Sequence, residues 1–457
     1  MNKKVALIIS ALLVILSCLA LSSCLKTNTA LQGDMIVAAE KGYASPFKIV
    51  LNENAAPGTR SEAEIFRDAV KRKLGVDLEI VDNFDKQLNL DYKIYYNATN
   101  YSECSTVAYD LEDGEYCITT KNGETTSIAV TWKGSGGRGA TDYIIEHLLS
   151  DTALSFPKTN EIKGEIDPMS NIITTNVPLR DPCVLLDGGV YYMYGTSWKV
   201  YKNTTGDISG EWTGGSKCVT IPSDASDNHW APEVYKLENP SGYFMFTTYF
   251  SDKTGHRGCA VFRSDSPEGP FELYSDGHVT PSDWDAIDGH LYFDKDGTPW
   301  MIFVHEWTGT SDNIGRMSVA KMSADLKKLV TEPVDVFKGT DAPWATEKIT
   351  DGPWIYTLQS GKLIMLWSNF DANGYACGMA ISESGNVKGP WKQLEAPLYS
   401  KELGGANDGG HGMIFKTIEG KLYLSIHSPN TKTEKNPTLA IFVPVREEGD
   451  RLVCDFD

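Results

Sequence analysis

Three aspartates and one histidine open copies of a phrase that returns five times in this chain: Asp181, Asp288, Asp351 and His411. Each copy holds an apolar strand, a turn with Gly or Asp, and a second strand rich in aromatics. The copies begin at Asp181 (DPCVLLDGGVYYMYGTS), Ala231 (APEVYKLENPSGYFMFTTYF), Asp288 (DGHLYFDKDGTPWMIFVHEW), Asp351 (DGPWIYTLQSGKLIMLWSNF) and His411 (HGMIFKTIEGKLYLSIHSPN). A single aspartate at a strand start is more often a turn former or cap. Carboxylates gathered in one pocket can do more. One stays ionised and takes a proton from water, while another stays protonated and gives one to a leaving oxygen. Glycoside hydrolysis needs that pair.

The elements that must gather them follow from the repeat. Phrases of this spacing in an all-β region predict radially repeated sheets, a five-bladed β-propeller over residues 170–457, with roughly 50–60 residues per blade. A propeller brings the first strand of every blade to one axis. Ahead of it, residues 46–165 predict a smaller α/β domain. Its strands are Phe47–Leu51, Tyr92–Tyr96, Glu115–Thr120 and Ser127–Trp132. Its helices are Ser61–Leu74, opened by a Ser61/Glu64 capping box, and Ala140–Leu149. The glycine-rich Gly134–Gly139 lacks the Lys-Ser/Thr of a phosphate loop and reads as a tight strand-to-helix turn.

Other residues could join the chemistry. Glu306, in His305-Glu306-Trp307, ends the second strand of the blade that Asp288 starts. It is a second candidate acid, or a ligand for a sugar hydroxyl. Glu233 and Trp230 sit at the entrance to blade two. Trp284, Trp307, Trp344 and Trp354 lie beside blade starts or ends, where a ring can stack on a sugar or fill a core. Asp294-Lys295-Asp296-Gly297 reads as a hairpin turn rather than a calcium loop.

Arg180-Asp181-Pro182, Trp230-Ala231-Pro232-Glu233, Ile287-Asp288, Asp351-Gly352-Pro353 and His411-Gly412, in this order, resemble glycoside hydrolase family 43. These are five-bladed propeller glycosidases, including α-L-arabinofuranosidases and β-xylosidases. The resemblance covers about residues 175–457 and implies hydrolysis with inversion. Asp181 would be the base, Asp288 would tune the acid, and the residue before Gly352-Pro353 would be the acid. Acid and base would then stand roughly 6.5–9.5 Å apart. The family usually has glutamate at the acid position; this chain has Asp351. Three outcomes follow: Asp351 works from a closer backbone, another acid (Glu306 or Glu347) substitutes, or the site binds carbohydrate with little turnover. The resemblance also implies substrate contacts from Trp230, Glu233, Trp307, Trp354 and His411. It implies no required cofactor, although His411 would help hold a structural calcium at the axis, largely through water. The expected reaction is exo-acting removal of a terminal furanose or pentose, of α-L-arabinofuranosidase, β-xylosidase or β-galactofuranosidase type. The 46–165 region is similar in pattern to the accessory domain that precedes several bacterial glycoside hydrolases.

The first residues read as targeting. Lys3 and Lys4 precede an apolar run, Val5 to Leu21, and Leu21-Ser22-Ser23-Cys24 resembles a lipobox. Residues 1–24 are thus expected to be a lipoprotein signal, with Cys24 lipidated and 25–45 a flexible tether. The protein would be membrane-anchored, facing out of the cell. Net charge is −19 with no basic patch, which argues against nucleic acid. The cysteines are scattered without a CxxC pair, so a zinc site or a disulfide framework is not expected.

Overall fold

The computed structural model describes residues 26–27, 31–32, 35–82, 90–123, 125–158, 161–166, 171–404 and 407–455. The signal segment and Cys24 lie outside the described residues. The chain divides into two compact units, 1–55 with 62–165 and 56–61 with 166–457.

The first unit holds a six-stranded sheet. Its strands, in spatial order, are Ile162–Glu165, Glu115–Asn122, Thr126–Trp132, Tyr92–Tyr96, Lys48–Leu51 and Ile80–Asp82. Thr126–Trp132, Tyr92–Tyr96, Lys48–Leu51 and Ile80–Asp82 run parallel; Glu115–Asn122 is antiparallel to its neighbours. The long helix begins at Pro57, ahead of the expected Ser61/Glu64 box. Proline suits a first helical turn because its missing N–H would have no partner there. Glu62 instead turns inward and meets Arg138, whose Nη2 donates to its carboxylate at 2.6 Å. A short helix, Ser102–Ala108, follows, and the helix expected at Ala140–Leu149 starts earlier, within the glycine-rich stretch, at Gly136–Tyr143, and ends in a π-helical turn, Ile144–Leu148. Part of the expected tether is structured. Met35–Glu40 is a strand whose inner residues are buried, paired with Ala153–Pro157. Ile36-Val37-Ala38-Ala39 is apolar on both faces, which suits a covered strand and not a solvated linker.

The second unit is five antiparallel sheets. Four have four strands in sequence order, beginning at Cys183, Ala225, Ala286 and Asp351. The fifth runs Gly410–Lys416, Leu422–Ser428, Leu439–Glu448, with Arg451–Cys454 added at Leu439–Glu448. Ile173–Thr174, from the start of the unit, pairs with Phe442 and Ile441 and so closes the ring. The second strands are apolar on both faces because each blade packs against two others. Tyr194, Trp198, Met245 and Phe262 fill the seam between blades one and two. Phe246, Cys259, Met301 and Phe303 fill that between two and three. Val304, Met317, Met365 and Trp367 fill that between three and four. Fully burying one such side chain is worth about 1.5–3 kcal/mol. Every described cysteine is a buried free thiol, including Cys104 and Cys117.

Candidate active site

In or just ahead of the first strand of each blade, one residue at the axial end is in the left-handed region. These are Asp181 (φ 56°), Ala231 (43°), Asp288 (57°), Gly352 (53°) and His411 (54°). In blades two to five the strand pairing shifts register across this residue. The kink turns the side chain there toward the axis. It also redraws the repeat: blade four supplies Gly352 to the axial set, and Asp351 stands one residue earlier. Asp351 is equivalent to Arg180, Trp230 and Ile287, not to Asp181 and Asp288. Gly352 is required at its seat, since a Cβ would lie 2.9 Å from the His411 ring.

Each kinked residue exposes a backbone N–H, and the preceding blade caps it. Thr196 Oγ accepts from Ala231 N–H at 3.1 Å, and Thr248 Oγ from Asp288 N–H at 2.9 Å. Ser368 Oγ accepts from His411 N–H at 2.8 Å, and His427 Nδ1 from Asp181 N–H at 3.3 Å. Thr248, Ser368 and His427 pair across from Trp230, Asp351 and Gly410; the residue pairing with Ile287 in blade three is Val304. Valine offers no acceptor. Gly352 N–H therefore donates to Asp288 Oδ2, at 3.0 Å.

The result is a cavity of about 340 Å³, lined by Asp181, Asp288, Asp351, His411, Arg180 and Trp230, together with Thr196, Ile287, Glu306, Trp307 and Tyr375. Its three aspartates have different neighbours. Burial alone would raise Asp181, but His411, His427 and Arg180 outweigh it and hold its carboxyl well below the ordinary range. His411 Nδ1 is 3.4 Å and His427 Nδ1 3.2 Å from Asp181 Oδ1, and the Thr196 hydroxyl donates to Oδ2. Burial pushes Asp288 up to about 6, against the pull of His411 and the Gly352 N–H. Burial and then the Asp288 charge push Asp351 up to about 7; His411 and the Tyr375 hydroxyl oppose this. For His411, burial is outweighed by Asp181, Asp288 and Asp351, which raise it.

Glu306 is buried, yet engaged elsewhere. Arg257 Nε donates to it at 2.5 Å, and Arg257 Nη2 continues to Thr308. Burial raises Glu306, while Arg257 works against that. A carboxylate fixed by guanidinium is a better acceptor for a hydroxyl than a proton donor.

Of the residues expected at the substrate, Trp230, Trp307 and His411 line the cavity; Glu233 and Trp354 do not. Glu233 accepts from Tyr235 Oη and from His290 Nδ1, the latter at 2.8 Å. His290 Nε2 in turn accepts Ile355 N–H at 3.0 Å. Trp354 packs on His290 and Tyr235, with ring centroids 4.7 and 6.3 Å away. Both stand two residues past the kinked axial position of their strand and serve the packing between blades. Trp344 is buried against Trp367, and Trp284 stacks on His305. The Asp294 carboxylate accepts the N–H groups of Asp296 and Thr298, as a hairpin turn requires. Among the described residues, no group of three or more His, Cys, Asp or Glu could hold a metal ion. His411 Nδ1 faces Asp181 and Asp288, 3.4 and 3.8 Å from their carboxylate oxygens. Sequence reasoning missed Thr196, Tyr375, His427, Arg180 and Arg257.

The profile of glycosyl hydrolases family 43 matches residues 171–441, and the chain belongs to this family. Its members hydrolyse O-glycosyl bonds. Among solved structures, an endo-arabinase from Bacteroides thetaiotaomicron is 37% identical with a TM-score of 0.54, over 61% of this chain and 99% of that one. An endo-1,4-beta-xylanase from the same organism shares the fold, at 23% identity and TM-score 0.52, over 62% and 96% of the two chains. The extracellular endo-alpha-(1->5)-L-arabinanase 1 of Bacillus subtilis is 26% identical over 177 residues, 35% of this chain and 53% of that protein. The chain spans about half the length of the curated relatives it matches.

Proposed function

We propose that the propeller cleaves α-L-arabinofuranosyl linkages with inversion, Asp181 acting as base and Asp351 as acid. One observation carries this reading: Asp181 and Asp351 share a cavity, but their surroundings push their proton affinities in opposite directions. Asp181 is ionised near neutral pH and can take a proton from the attacking water. Asp351 retains its proton and can release it toward the leaving oxygen. Asp288 keeps Asp351 protonated by like-charge repulsion. Glu306, tied to Arg257, accepts a sugar hydroxyl, and Trp230 and Trp307 offer ring faces to the sugar.

The endo-arabinase relative supports arabinan as the polymer. Purified protein is to be offered linear arabinan and a panel of aryl arabinofuranosides, xylosides and galactofuranosides. Arabinofuranoside cleavage with the β-anomer released first supports the proposal. No release from any arabinofuranoside overturns it. Arabinose alone from arabinan marks the expected exo action; a ladder of oligosaccharides marks endo action.

Aspartate at the acid position supports a second reading, a surface lipoprotein that binds carbohydrate with little turnover. Affinity for arabino-oligosaccharides without release of sugar separates it from the first. In both readings residues 1–24 are a signal, Cys24 carries lipid, and the protein faces out of the cell. The relative named as extracellular supports the last point. Among the described residues, no helix is long and apolar enough to cross a membrane. Metabolic labelling with palmitate, lost in Cys24→Ala, tests the anchor. The 46–165 unit is proposed as an accessory domain, tested by glycan binding of the isolated segment.

A further inference from the structure

Gly410 occupies in blade five the seat that Arg180, Trp230, Ile287 and Asp351 occupy in the others. It has no side chain to send into the cavity. Tyr375, from the third strand of blade four, fills the space: a Cβ on Gly410 would lie 2.6 Å from its ring. Its hydroxyl donates to Asp351 Oδ2 at 2.9 Å. The ring is fixed on both sides, 5.5 Å from His427 and 5.2 Å from Phe370, and its backbone N–H donates to Asp408. The phenol thus lines the cavity, next to a carboxyl one methylene shorter than the glutamate expected there.

We propose that Tyr375 hands the proton to the leaving oxygen and is reprotonated by Asp351 in the same step. This rests on the assignment of Asp351 as acid. The glycosidic C–O bond breaks, and its electron pair stays on the leaving oxygen. With Asp351 protonated, its carboxyl O–H donates across the same 2.9 Å contact to the phenol oxygen, which frees the phenolic proton for the leaving oxygen. That oxygen takes the phenolic proton, and the Asp351 carboxyl proton moves to the phenol. Water forms the new bond to the anomeric carbon and gives its proton to Asp181. Asp351 ends ionised, Asp181 ends protonated, Tyr375 is unchanged, and solvent restores the two carboxyls. The transfers must be concerted. Burial, then Asp351 and Asp181, raise the phenol far above its ordinary range, so no phenolate accumulates.

The test compares linear arabinan, whose leaving group needs a proton, with dinitrophenyl arabinofuranoside, whose leaving group does not. Tyr375→Phe is expected to lose about 100-fold or more in kcat on arabinan, in the range of general-acid catalysis, and less than about 3-fold on the aryl substrate. Adding Asp351→Glu to Tyr375→Phe is expected to restore arabinan cleavage at least about 10-fold, since the longer carboxyl no longer needs the relay. Asp351→Asn tells the two readings apart. If it keeps the arabinan rate, the acid assignment fails and the relay with it. If it loses that rate while Tyr375→Phe stays within about 3-fold, Asp351 donates directly and only the relay is overturned. Equal losses on both substrates in Tyr375→Phe would assign Tyr375 a positioning role and also overturn the relay. Should Tyr375→Phe not fold, 3-fluorotyrosine at 375 preserves the packing. A changed dependence of kcat/KM on the leaving group then supports the relay, and an unchanged one overturns it.

Discussion

Replacing Asp351 with asparagine tests the acid assignment without a substrate. In the native protein Asp351 keeps its proton up to about 7, whereas the ordinary value is 3.8. Between those values the folded state holds a proton that the unfolded chain has lost. Stability therefore falls as pH rises through that window, by about 1.4 kcal/mol per pH unit. Asparagine carries no such proton. The stability of Asp351→Asn relative to the parent should thus grow by about 3 kcal/mol from pH 5 to pH 7 and level off above it. Asparagine can still accept the Tyr375 hydrogen bond, so little else changes at the site.

Melting curves of parent and variant at pH 5, 6, 7 and 8 measure this. For a unit the size of the propeller, about 3 kcal/mol corresponds to roughly 6 °C. The Asp351→Asn advantage should widen by that amount between pH 5 and 7. Using the difference between the two proteins cancels titrating groups remote from the site; Asp288, whose charge is coupled to Asp351, is removed by repeating the comparison in an Asp288→Asn background. A constant difference from pH 5 to 8 would mean that Asp351 is ionised throughout. It could not then be the acid at neutral pH, and the reasoning fails.

Three further outcomes are expected. Asp181→Asn should lower kcat on every substrate by about 1000-fold or more while staying folded, with a lower Tm at neutral pH because its charge-stabilising contacts are lost; retained turnover would remove Asp181 as base. Glu306→Gln should raise KM with little change in kcat, as loss of uniform binding does, whereas a collapse of kcat on arabinan alone would make Glu306 the acid. Val304→Thr should supply the missing hydroxyl cap and take Gly352 N–H from Asp288. Asp288 then protonates more readily and repels Asp351 less, so the alkaline limb of kcat/KM should move to lower pH; an unmoved limb refutes the cap argument.

The blade count and the gathering of Asp181, Asp288 and His411 were legible because each sits at the head of a repeated phrase. The offset of Asp351 was not. Aligning Asp-Gly-Pro with Asp-Pro-Cys and Asp-Gly-His is the obvious match by residue type. Only the positive φ at Gly352 moves Asp351 back one residue. Thr196 and His427 were hidden for a different reason. Thr196 directly follows the second strand of blade one and His427 lies near the end of that of blade five, and their partners are in another blade. A signal did exist: Thr196, Thr248, Ser368 and His427 are polar residues at one recurring point of a buried strand, where an unpaired polar group is costly. Val304 breaks that series, and the break marks the blade whose aspartate must cap its neighbour. Tyr375 had no such signal, because it stands in for a residue missing from the next blade. Glu233 and Trp354 were expected at the substrate beside a blade entrance and a blade start; two residues past the kinked axial positions, they already pack in the seams with His290 and Tyr235.

The one-residue offset is what lets similar carboxylates take opposite roles. At the kinked positions, side chains converge on the axis, and Asp181 there meets two imidazoles and a hydroxyl. Those groups favour the charged form. One residue earlier, Asp351 receives one phenolic hydrogen bond and feels the repulsion of Asp288, so the neutral form persists. Exchanging the neighbours would exchange the roles, since burial acts on both in the same direction. His411 links the two without making them alike. Its ring is 3.4 Å from Asp181 and is the first charge to oppose burial there, whereas at Asp351 burial and the Asp288 charge outweigh it. Shortening the acid from glutamate to aspartate preserves this asymmetry, because it depends on the seat and not on the length. What the shorter side chain gives up is reach, and Tyr375 is the group positioned to restore it.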